Sequence, residues 1–98
     1  MTRTVLGMET IAVDAFTGQG NYAVIRLPAR KFPGVLVQGD SLSIFVADLR
    51  RGLEQLRRGD TDEGISEVAD VLDRLTEVQR SYEHALADHS IPLPYVRE

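Results

Sequence analysis

The chain contains no cysteine in its 98 residues, so disulfides and thiolate metal sites are excluded. It has a single lysine, Lys31, against ten arginines, a bias we read as codon supply in a G+C-rich genome. It has no apolar run of membrane-spanning length. The lead Met1–Gly7 is too short in apolar residues for a signal peptide, and the expected compartment is the cytoplasm. There is no basic excess either: the net charge is −4. Residues 1–58 balance at +3 and residues 59–98 at −7. An acidic C-terminal half argues against nucleic-acid binding, which needs a concentrated basic surface. Histidines are scarce as well. His84 and His89 have no organised carboxylate partners, so no metal or cofactor is expected.

What remains is ordinary globular material, 43% apolar and 27% charged, in an amount suited to one domain over residues 1–98. Residues 1–9 read as a loose lead-in. Thr10–Phe16 alternates, with Ile11, Val13 and Ala15 on one face. Thr17-Gly18-Gln19-Gly20-Asn21 supplies a hairpin loop, Tyr22–Leu27 a second strand and Val35–Gln38 a third. Pro28 and Pro33 bracket the basic loop that carries Arg30 and Lys31. Residues 10–38 are therefore expected to form a three-stranded antiparallel meander.

Two helices follow. Residues 40–58 carry Leu42, Phe45, Val46, Leu49, Leu53 and Leu56 at helical spacing, with Asp40 or Ser41 as the expected N-cap. Gly59-Asp60 breaks this helix, and Asp60 or Thr61 caps a second over 60–89. There Ile65, Val68, Leu72, Leu75, Val78, Tyr82 and Leu86 share one side, widened by Ala69, Val71 and Ala85. So wide a stripe is expected to bury itself against both the first helix and the sheet, with Leu53 and Leu72 in the seam. The tail 90–98 holds Pro92 and Pro94 and is expected to fold back as an extended segment. The expected fold class is α+β: the meander, then a two-helix hairpin.

Gly39-Asp40-Ser41-Leu42 lies between a strand and a helix, as does the nucleophilic serine of the GDSL esterases, which it resembles. That family places its base in an Asp-x-x-His arrangement. Here the positions three before His84 and His89 are Ser81 and Leu86, so the motif reads as a strand-to-helix turn and no catalytic residue is assigned. A small serine hydrolase is the least favoured function.

The segment from Arg26 to Leu42 and the tail His89–Tyr95 resemble an uncharacterised family of small bacterial proteins. More distantly, Pro33-Gly34 followed by Gly39-Asp40-Ser41-Leu42 is similar to HicB-type antitoxins, whose partial RNase-H-like domain binds a toxin. That likeness covers about residues 22–57, and Ser43 and Ile44 stand where the family carries glutamates. The resemblance implies a non-catalytic protein-interaction module, antitoxin or immunity-like, with a protein partner such as a toxin. The expected contact residues are Asp70, Asp73 and Glu77 on the acidic side of the second helix, or Arg30 and Lys31 in the basic loop. The alternative is a structural homo-oligomer whose wide helix stripe packs on a copy of itself.

Overall fold

The computed structural model describes residues 7–18 and 20–97. It is an α+β fold: strands β1 (Asp14–Ala15), β2 (Tyr22–Arg26) and β3 (Gly34–Val37), then helices α1 (Gly39–Arg57) and α2 (Thr61–Asp88). The strands form an antiparallel sheet in the order β1-β2-β3.

β1 is shorter than its alternation predicts, and its partner explains why. The register pairs Asp14 with Arg26 and Ala15 with Ile25. Continuing backwards, Ala12 would face Pro28, which has no N–H to give. Pairing stops, and Ile11 and Val13 stay exposed. Of the predicted hairpin loop, Gln19 lies outside the described residues. The loop is closed by the Thr17 hydroxyl, which accepts the Val24 N–H at 2.9 Å.

α1 begins earlier than expected. Gln38 is extended at φ −62°, ψ 142° and is the N-cap. Its carbonyl accepts the Leu42 N–H at 3.0 Å, which draws Asp40 and Ser41 inside the first turn. There the Asp40 carboxylate accepts the Ser41 N–H at 2.8 Å and faces the positive helix end.

Both helices end in the same device. After α1, Gly59 (φ +86°) donates to the Leu56 carbonyl and Asp60 to that of Gln55. After α2, Ser90 (φ 55°) donates to Ala87 and Ile91 to Leu86. Each is a Schellman motif with a left-handed C′ residue. Asp60 caps α2 as one of the two expected positions, with its side chain turned to Arg58 at 3.4 Å rather than to the helix N–H groups.

The helices approach closely where two glycines meet. A Cβ on Gly64 would lie 2.7 Å from Leu56 Cγ and 3.0 Å from the Gly52 carbonyl oxygen; one on Gly52 would lie 3.0 Å from Val68 Cγ2. Beyond this crossing, α2 continues to the sheet. Val24, Tyr82, Ala85 and Leu86 form the buried core, with Phe16, Ile91 and Leu93 packed around it. The tail folds back as expected: Tyr95 stacks on Tyr82 at 6.3 Å and donates to Glu83 at 3.0 Å. No helix among the described residues is long and apolar enough to cross a membrane.

Candidate functional site

The acidic side of α2 is laced with cations. Asp70 pairs with Arg74 at 3.1 Å and Glu77 with Arg80 at 3.0 Å, while Asp73 has no ion-pair partner among the described residues. The three do share one exposed side, and two of them are paired along their own helix. In the basic loop, Arg30 N–H donates to the Leu27 carbonyl at 3.2 Å, closing a turn around Ala29 (φ 63°). Lys31 Nζ sits 5.2 Å over the Phe32 ring. The loop and the acidic side form no common site.

The strongest electrostatic construction joins the helices. Asp48 of α1 accepts from Arg74 at 2.6 Å and from Arg51 at 3.0 Å; Arg51 also reaches Glu67 at 3.3 Å. The Arg74 guanidinium holds the Asp48 carboxyl below its ordinary range, with burial opposing and Arg51 assisting. Glu67, in turn, raises Arg51. Carboxylate oxygens of Asp48, Glu67 and Asp70 lie within 4.8 Å of one another, a spacing a cation would accept. The two guanidiniums already occupy that role, so the cluster is an interhelical clamp.

Ser41 has no hydrogen bond to a histidine among the described residues. His89 Nδ1 donates to the Ala85 carbonyl at 2.9 Å and its ring meets Phe16 edge-on at 4.8 Å. His84 lines a mixed groove of about 780 Å³ between α2 and the tail, with Tyr95 and Arg97. In that groove Glu83 accepts from Tyr95 and pairs with Arg97 at 2.9 Å.

The feature that stands apart is apolar. The stripes of α1 and α2 do not close on each other. Leu42 is 54% exposed, Leu53 45%, Ile65 56% and Leu72 63%, and Val46, Leu49, Leu56 and Leu75 are also exposed. The expectation that Leu53 and Leu72 lie in a buried seam is therefore corrected. The cause is the glycine crossing. With no side chain at Gly52 and Gly64, the helices meet along the line of Phe45, Asp48, Gly52 and Leu56 on α1 and of Gly64, Glu67, Val71 and Arg74 on α2. At about 100° per residue, each leucine stripe, Leu56 at its inner edge aside, is turned roughly a quarter circle from that line. Because the helices are antiparallel and both right-handed, the two rotations bring the stripes to the same side. They form one continuous face, which runs on into an apolar recess of about 470 Å³ lined by Leu72, Leu75, Val78, Tyr82, Pro33 and Val35.

A family model described as a family of unknown function (DUF6959) matches residues 8–95, nearly the whole chain. No curated protein and no solved structure matches it.

Proposed function

The chain belongs to this family of unknown function, DUF6959, and from its geometry we propose that it is a non-catalytic protein-interaction module whose working surface is the apolar face of the helix hairpin. The observation that carries this reading is the exposure of eight large aliphatic side chains on one side of two adjacent helices. Contiguous apolar patches of that extent are rare on monomers and mark contact surfaces. The likeness of residues 22–57 to toxin-binding antitoxins agrees with this class of function. The acidic trio Asp70, Asp73 and Glu77, together with Arg30 and Lys31, moves to the periphery of the reading, since their charges are mostly paired or isolated.

The test is a photo-crosslinking amino acid placed at Leu53 or Leu72 of the full chain, with Asp88 and Arg30 as exposed controls. Discrete protein adducts at the two leucine positions only are expected. Adducts at the controls but not at the leucines would overturn the assignment. So would labelling of Ser41 by a fluorophosphonate probe, which would make the chain a hydrolase.

A further inference from the structure

Two measures of the whole chain exceed those of a compact monomer. Its accessible area is 7828 Å², where a compact monomer of 10.9 kDa exposes about 5,600 Å². Its radius of gyration is 17.5 Å, against about 13 Å for a compact chain of this length. Part of the excess comes from the irregular residues 7–13, exposed throughout. The large aliphatics of the two helices contribute a further part, among them Leu42 at 54% and Leu72 at 63% exposed. A stable interface of standard size covers about 800 Å² on each partner, and the exposed aliphatics of the two helices lie on one side of the hairpin.

The charges at the margins of the face match a second copy as well. On the outer border of the α1 stripe stand Arg50 and Arg57; on that of the α2 stripe stand Asp62 and Asp73. The contacts of Arg51 with Glu67, Asp48 with Arg74 and Leu56 with Gly64 set the level of one helix against the other. They put Arg57 level with Asp62, and Arg50 about one turn from Asp73. Neither Arg50 nor Asp73 has an ion-pair partner among the described residues, and Arg57 has only an exposed contact with Glu54 at 3.3 Å.

We propose that the occupant of this face is a second copy of the chain, stacked hairpin on hairpin about a two-fold axis parallel to the helices. The inference rests on the interaction-module reading and names its partner. This axis lays α1 of each copy over α2 of the other, so the leucine stripes interdigitate as a four-helix layer pair. The basic border of one copy then runs beside the acidic border of its mate. The other in-plane axis, perpendicular to the helices, would lay α1 over α1 and set Arg50 and Arg57 against their own copies. Like charges at an interface margin disfavour that arrangement.

The experiment is sedimentation velocity on the full chain, its Leu53→Glu/Leu72→Glu variant, its Arg50→Glu variant and the swap Arg50→Glu/Asp73→Arg, with circular dichroism on each. The parent is expected at twice 10.9 kDa. The leucine variant is expected at the monomer mass with its helix content retained, because both side chains are exposed in the single chain. Arg50→Glu should raise the dimer dissociation constant about tenfold, through two symmetric contacts turned repulsive, and the swap should restore it. If the leucine variant fails to fold, the Arg50 series still decides.

A dimer indifferent to both Arg50→Glu and the swap overturns the α1-over-α2 stacking. A parent that stays monomeric and binds an apolar dye at this face, with dye binding lost in the leucine variant, overturns self-association but leaves the interaction surface for another protein. A monomeric parent that binds no dye overturns both.

Discussion

Tyr82 is the residue on which the two halves of the fold depend. Its ring belongs to the core, and its hydroxyl donates to the Pro33 carbonyl at 2.7 Å, tying α2 to the turn before β3. Burial raises the hydroxyl's pKa above the ordinary tyrosine value, so it remains a donor at all moderate pH. Tyr82→Phe keeps the packing and strands a buried carbonyl. We expect a loss of about 1–3 kcal/mol in denaturant unfolding, the usual cost of an unsatisfied buried acceptor. Ser90 offers the opposite case. It holds the left-handed position of a Schellman motif that glycine occupies without strain, as Gly59 does after α1. Ser90→Gly is therefore expected to stabilise the chain by about 0.5–1 kcal/mol, the left-handed penalty less the flexibility glycine adds to the unfolded state.

At the scale of elements, the helix hairpin is set by its glycine crossing and its ionic clamp. Gly64→Ala should destabilise by about 1–3 kcal/mol although alanine is the better helix former. The new methyl meets the backbone oxygen of Gly52 as well as Leu56, and only the side chain can move aside cheaply. Gly52→Ala, whose nearest neighbour is a Val68 methyl at 3.0 Å, should cost less, and thermal melts of the pair should rank them so. The clamp has a pH signature. Asp48 has a folded-state pKa below its ordinary 3.8, so its contribution is complete above that value. It is lost as pH falls through the ordinary value toward the folded one. Asp48→Asn is expected to flatten the stability-versus-pH curve below about pH 4 while leaving its shape above pH 5 unchanged, as measured by urea midpoints across that range.

These elements also mark how far the sequence could be read. The meander and both helices follow from alternation, turn residues and three- and four-residue spacing, and the observed strands and helices lie where those signals placed them. The misplacements have local causes. Pro28 truncates β1 from across the ladder, and the Gln38 backbone opens α1 before the Asp40 and Ser41 side chains are reached. The larger error concerned Leu53 and Leu72. Periodicity tells that a side is apolar but not what covers it, and here two buried glycines, inconspicuous in the sequence, turn the helices so that the leucines miss each other. The signal was present in the width of the α2 stripe, about twice what one neighbouring helix requires. The acidic trio was legible as a face, and the pairing of Asp70 with Arg74 and of Glu77 with Arg80 follows from three- and four-residue spacings along the helix.

For the whole molecule, the proposal is that the single chain folds by itself and covers its hairpin face with a second copy. Its own core is a small cluster around Val24, Tyr82, Ala85 and Leu86, and its larger apolar surface lies outside it. The stability of such a chain depends on its concentration, because the folded state is drawn on by association and the unfolded state is not. The most direct test is the melting temperature of the parent protein followed over a hundredfold range of concentration. If the hairpin face is closed by a second copy, the midpoint rises by about 3–5 °C for each tenfold increase. A midpoint that stays constant across the whole range would contradict the account.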